Sequence, residues 1–248
     1  MLTFLSNLLS SLLTNILPAF IPHVWEKYVM QRGLKRPPKS MLTEIRVFLE
    51  TIFPENPPEL REKNCRYLPD SRAFFMEKVD ILDSLERDAN GNVAILCRVP
   101  WLVMPDNYRD IYLNSPEARA YYSLLEKQAR SGKLKYLYNL NALRKQNLLD
   151  SLIRGSELHC LPMLLTSTNF DIMIVHTDRH RHKIIFATRP IGFRDQEVGV
   201  VVEQRDMYLV FRSYFDRLWD EADNFWKSQL KKGISPVLET VVHPLIAT

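Results

Sequence analysis

The apolar positions of this chain change their period several times, and each change marks an element. Residues 1–21 carry no charge; Leu2, Leu5, Leu9, Leu12 and Ile16 recur every three or four positions, with Ser, Thr and Asn on the other side. This spacing predicts an amphipathic helix. A second helix is predicted from a Ser40 cap to about Ile52, with Leu42, Ile45, Val47, Leu49 and Ile52 as its apolar positions. Pro54 to Pro58 ends it, and the polar, Pro-rich stretch 54–69 is where the boundary of the main domain is expected. From Leu68 helix and strand alternate. Asp70 or Ser71 caps a helix through Leu85, Val93–Cys97 is an unbroken apolar strand, and Ser115-Pro116-Glu117 opens a helix that Gly132 closes. Leu134–Tyr138 is the next strand; Asn141 opens a helix through Ile153, which Gly155 stops.

Residues 157–203 then compress four short apolar runs, Glu157–Leu161, Asp171–His176, Lys183–Thr188 and Val198–Val202. Thr177–Arg181 fits a hairpin turn and Pro190–Glu197 a wider loop. A last helix, Arg205 to Leu230, carries the stripe Met207, Phe211, Tyr214, Leu218, Ala222 and Phe225. Strand–helix–strand–helix–strand with short links predicts an α/β fold, a mainly parallel sheet with flanking helices, to which hairpins add the later strands. The expected organisation is a helical N-terminal extension over 1–58, an α/β domain over 67–232 and an apolar C-terminal tail over 233–248.

The run around Met173-Ile174-Val175 resembles the half-domain of the phospholipase D-like superfamily, over residues 67–230. Catalytic members carry a histidine, a lysine two places on and an aspartate seven places on. Here those positions hold Asn169, Asp171 and His176, and Ala187-Thr188-Arg189-Pro190 replaces the Gly-Ser-x-Asn that follows. The family's chemistry needs a nucleophilic imidazole and a cation on the phosphate oxygens. An Asn amide is no such nucleophile, and Asp171 repels a phosphate. The resemblance therefore implies the fold without the activity. It also implies a homodimer, because half-size members complete their site by pairing, and a regulatory role, because non-catalytic members serve as sensors.

Composition changes the picture little. The 248 residues are 46% hydrophobic and 25% charged, with a net charge of +4, which suits a folded domain with a mild preference for anionic partners. Cys65, Cys97 and Cys160 are widely spaced and form no CxxC, as expected of free thiols in a reducing, cytoplasmic setting. The basic stretch 32–39 is followed by one helix between two proline clusters, too little for a helix-turn-helix, so the stretch reads as a solvated linker and nucleic acid is not the expected partner.

Three places carry candidate chemistry. Leu5, Leu9 and Leu12, followed by Trp25, Arg32, Lys35 and Arg36, have the order of an apolar stripe, an aromatic and a basic cluster that suits an anionic membrane surface, on which the chain would be peripheral or anchored. The same stripe fits packing on the protein's own core or a dimer seam. His176, Asp178, His180 and His182 alternate as metal ligands could, but Arg179 and Arg181 between them fit a polar hairpin tip equally. Ligands of parallel α/β sheets bind beyond the carboxyl ends of strands; those ends supply Arg98, Trp101, Tyr108, Arg109 and Asn139, cations and aromatics suited to a phosphorylated or nucleotide-like ligand. All seven glycines stand alone, and there is no GxSxG or HExxH. No cofactor is expected. The reading is a non-catalytic sensor or interaction module for a small-molecule ligand or a protein partner. The alternatives are a phosphodiester or metal-assisted hydrolase and a membrane-attached adaptor.

Overall fold

The protein is described from a computed structural model. The described residues are 39–98, 100–104, 115–140, 143, 148–163, 170–188 and 198–232. The chain divides into two compact units, Met1–Arg36 and Pro37–Thr248, and every described residue belongs to the second. The membrane-surface residues Leu5, Leu9, Leu12, Trp25, Arg32, Lys35 and Arg36 and the tail 233–248 lie outside the described residues. Among the described residues no helix is long and apolar enough to cross a membrane.

Among the described residues five helices, α1 Lys39–Ile52, α2 Ser71–Arg87, α3 Pro116–Arg130, α4 Leu148–Glu157 and α5 Arg205–Lys232, flank seven strands. The strands are β1 Cys65–Leu68, β2 Asn92–Cys97, β3 Leu134–Asn139, β4 Leu161–Met163, β5 Asp171–His176, β6 Lys183–Thr188 and β7 Val198–Glu203. They form one sheet in the order β1-β7-β6-β5-β2-β3-β4. The α/β class and the flanking helices are as expected, but the sheet is not mainly parallel. Only β2–β3 and β3–β4 pair in parallel; β1–β7, β7–β6, β6–β5 and β5–β2 are antiparallel. Short connections force β5, β6 and β7 to alternate in direction, and β5 enters beside β2 rather than beyond β4.

Strand alternation divides the core into two layers. Val93, Ile95, Tyr136, Tyr138, Met173, Val175 and Ile185 face α2 and α3. Ala94, Leu96, Leu137, Ile172, Ile174, Phe186, Val200 and Val202 face α1 and α5. The caps follow the sequence: Asp70 accepts from the Ala73 amide at 2.8 Å, Ser115 from the Ala118 amide at 3.1 Å, and Gly132 ends α3 at φ +74.

Further expectations are corrected. The stretch 54–69 contains the edge strand β1, and α1 before it buries Met41, Ile45, Phe48 and Leu49 against the sheet. The domain boundary expected between 58 and 67 therefore runs through one unit, and Val47, expected on the apolar face, is 55% exposed. Residues 157–161 are not a strand: α4 continues to Glu157, past Gly155, and β4 begins at Leu161. Gly155 is inside the helix because a Cβ there would stand 2.8 Å from the Tyr138 hydroxyl.

Candidate functional site

The topology gathers the expected ligand residues at one edge of the sheet. Tyr138 lies beside Cys97 across the parallel β2–β3 pair, and Ile172 beside Leu96 across the antiparallel β2–β5 pair. The next positions, Arg98, Asn139 and Asp171, therefore form a row across the ends of three neighbouring strands. The Arg98 amide donates to Asp171 Oδ1 at 2.5 Å, which fixes the start of β5 against the end of β2. Arg98 Nε is shielded from water and has no hydrogen-bond partner, and its guanidinium enters no ion pair among the described residues. Asn139 is half-buried and engaged.

Trp101 is not an open wall of this site. It lies in the 3-10 turn Trp101–Val103, is 5% exposed and belongs to the core. Arg154 of α4 holds that turn by donating to the Leu102 carbonyl at 3.0 Å and pairing with Glu126 at 3.2 Å. Tyr108 and Arg109 lie outside the described residues. At the same end of the sheet a largely apolar hollow of about 200 Å³ is lined by Leu140, Pro162, Met163, Glu221, Ala222, Phe225 and Trp226. Trp226 fixes one wall by donating to the Pro162 carbonyl at 2.8 Å.

The positions that match the catalytic signature do not form a unit. Asn169 lies outside the described residues. Asp171 and His176 stand at opposite ends of β5, about 16 Å apart at the usual rise per residue. Alternation along the strand also turns them to opposite faces. The thiols offer no nucleophile in reserve. Burial, with Glu62 nearby, pushes Cys65 up to about 11, and burial pushes Cys160 up to about 12, so both are protonated at neutral pH.

The histidine-rich hairpin is likewise divided by the sheet. Among the described residues no three His, Cys, Asp or Glu side chains are close enough to hold a metal. His180 turns to the α2 face and is buried. Its Nδ1 lies 3.0 Å from Lys183 Nζ, and its Nε2 lies 3.1 Å from Asp80 Oδ2, at an angle too poor for a hydrogen bond. Lys183, 5% exposed, also donates to Glu77 at 2.7 Å and lies 3.3 Å from Glu203; Arg66 closes on Glu77 at 2.6 Å. Burial pushes the Glu77 carboxyl up, but the bonds from Arg66 and Lys183 outweigh it and hold the pKa below the ordinary value. Burial, reinforced by the Lys183 charge, lowers that of His180. Asp178, mostly solvated, contributes its amide instead, which donates to Asp88 at 2.7 Å and holds that carboxyl low.

His176 and His182 turn the other way, to α5. Their ring centroids are 5.2 Å apart, and Tyr208 lies 5.7 and 5.1 Å from them. The sequence reading missed both the division of the hairpin and the burial of Lys183. The second was visible as a lysine at an inward position of the run Lys183-Ile184-Ile185-Phe186.

No protein-family model matches the chain, and no curated protein sequence matches it. Solved structures similar to it include the following three. The archaeal chromatin protein TrmBL2, described as showing a novel mode of DNA binding, is 18% identical over 84% of this chain and 69% of its own, with a TM-score of 0.35. NucT from Helicobacter pylori is 15% identical over 64% of this chain and 96% of its own, with a TM-score of 0.38. Nuc from Salmonella typhimurium, a phospholipase D family member, is 10% identical over 64% and 92%, with a TM-score of 0.36. The likeness is one of fold alone. At these scores none of the three lends this chain an activity.

Proposed function

We propose that the protein is a non-catalytic binding module that takes a ligand with carboxylate or phosphate oxygens at the carboxyl ends of β2 and β3. The observation that carries this reading is Arg98. A guanidinium N–H kept from water without an acceptor costs about 1–3 kcal/mol, and a ligand oxygen restores the missing bond. The largely apolar hollow at the same end of the sheet suits the body of such a ligand. The lack of a paired nucleophile and cation at Asp171 and His176 supports binding over turnover.

Titration calorimetry with inorganic phosphate, a nucleoside monophosphate and a dicarboxylate tests the site. At least one of the three binds, and Arg98→Gln weakens it about tenfold or more, the usual scale for losing a charged hydrogen bond. Binding that Arg98→Gln leaves unchanged sinks the proposal. Turnover of bis(p-nitrophenyl) phosphate that His176→Ala abolishes would establish the hydrolase instead.

We further propose that the stretch preceding the described residues, with its leucine stripe and its basic cluster at Arg32, Lys35 and Arg36, brings this module to anionic membranes. Flotation with phosphatidylserine vesicles, compared with a chain starting at His23, reads this directly. Failure of the intact chain to float returns the stripe to packing or pairing, as a homodimer would use it.

A further inference from the structure

His176 and His182 are the one place where the hairpin leaves ligand-type side chains uncommitted. With Val175 opposite Lys183, they form the next cross-strand pair, directly flanking the turn. Neither imidazole has a hydrogen-bond or ion-pair partner among the described residues, and His176 Nδ1 is shielded from solvent with nothing to bond. Only ring contacts remain: the two histidines with each other at 5.2 Å, and both with Tyr208 at the start of α5. Aromatic packing alone does not require two imidazoles, each of which wastes polar nitrogens at such a position.

We propose that His176 and His182 form a two-imidazole site for an imidazole-seeking divalent metal of the Cu²⁺, Ni²⁺ or Zn²⁺ class. The spacing fits. Metal–nitrogen bonds of about 2.0–2.1 Å place two ring centroids roughly 4.5–6 Å apart over the usual ligand angles, and the observed separation falls inside that range. Arg181 and Arg205 act on His182 and oppose any cation there, so the metal must be one held by strong imidazole bonds and not a hard cation such as Ca²⁺ or Mg²⁺, which needs anionic oxygens. The remaining coordination positions go to water. The site is on the opposite face of β5 from the Lys183 network and at the opposite end of the strand from Arg98. It is therefore independent of the ligand site proposed above.

The test uses the untagged full chain and Cu²⁺ alone, the divalent ion that imidazole sites hold most strongly. Calorimetry is run on the wild type, on His176→Gln, on His182→Asn and on the double variant. Asn is chosen at 182 because the backbone there has φ +54, a conformation Asn tolerates. One Cu²⁺ present in the wild type is expected to be lost from the double variant and weakened about tenfold or more in each single variant. Asp178→Asn should bind as the wild type, because that side chain is solvated at 86% exposure. Electron paramagnetic resonance of the wild-type complex gives a reading that does not depend on any variant folding, with coupling to two imidazole nitrogens expected. Coupling to one nitrogen or none, or equal Cu²⁺ uptake by the wild type and the double variant, overturns the proposal.

Discussion

The two ends of the sheet are built on opposite principles. At the hairpin end, most polar groups facing α2 have a partner, while His180 Nε2 on that face and His176 Nδ1 and Gln204 Oε1 are buried without one. Lys133 donates to the carbonyls of Leu85, Glu86 and Asp88, which α2 leaves open at its carboxyl terminus. Asp88 collects the amides of Asn90 and Asp178, Thr177 meets Ser84 at 3.2 Å, and Lys183 ties Glu77, His180 and Glu203 together. At the carboxyl end, Arg98 Nε, the Tyr138 hydroxyl and the Ser151 hydroxyl are buried without partners. A protein spends polar bonds where it needs a rigid frame, and leaves donors open where something else is to complete them. The contrast assigns scaffold to the Lys183 and Asp88 networks on the α2 face of the hairpin end, and recognition to the open donor at the carboxyl end.

The largest test of that contrast is Lys183→Met. Lys183 and Glu77 have side chains 6% and 13% exposed, so removing the cation leaves a buried carboxylate held only by Arg66. Breaking a buried pair in this way costs about 3 kcal/mol, read as a fall in the urea midpoint at unchanged slope. A loss within the range of ordinary surface pairs, under about 1 kcal/mol, would mean that the hairpin end is no more a frame than the rest of the surface.

Much of the frame was legible in the sequence, and little of the site. Helices α2 and α3 follow from a capping residue and a 3.6-residue stripe, β2, β5, β6 and β7 from short runs with Val and Ile, and β3 from a run of Leu and Tyr. These are local signals, and they survive folding. Edge strand β1, Cys-Arg-Tyr-Leu between prolines, has no such signal: it is four residues long, without Val or Ile, and its Arg66 is exposed. Strand β4 is three residues with Pro162 in the middle, tolerated only at the sheet edge that it occupies. Strand direction was invisible as well: a continuous apolar run such as Asp171–His176 reads the same whether it pairs parallel or antiparallel with β2. The site depends on that direction, since it is the antiparallel entry of β5 that sets Asp171 against Arg98 and sends His176 to the far end.

A second, smaller effect separates the ends from the other side. Gly155→Ala drives a methyl to within 2.8 Å of the Tyr138 hydroxyl, which the surrounding core holds in place. Overpacking of this kind costs about 2 kcal/mol. Tyr138→Phe removes a hydroxyl that bonds to nothing in the described structure, so it should be neutral or stabilising, unlike the usual loss of a buried polar group. In that background the cost of Gly155→Ala shrinks, because the clashing atom is gone. Equal costs of Gly155→Ala in both backgrounds would show that the helix shifts rather than the hydroxyl, and that the carboxyl end is more pliant than its packing implies.

The smallest effect is one of pH, and it belongs to His180. Its pKa is lowered from an ordinary 6.5, first by burial and then by Lys183, with Arg179 adding to this and Asp80 and Glu77 opposing it. The unfolded chain therefore takes up a proton at about pH 6.5 while the folded protein does not, and stability falls as pH drops from there towards the lowered value. Protonation would also cost the bond from Lys183, which needs an imidazole lone pair at Nδ1. Glu77, held below its ordinary 4.5, adds a loss of the same sign only at lower pH. His180→Gln keeps an acceptor for Lys183 without a titrating group, so between pH 6.5 and 5 the variant's stability should be flatter than that of the wild type. It should not be quite flat, because His182, lowered by its own burial and by His176, contributes a loss of the same sign at the far face. Urea midpoints at half-unit intervals of pH resolve the two slopes. Parallel curves would place the acid sensitivity outside His180, and its bond to Lys183 would then be a contact indifferent to protons in this range.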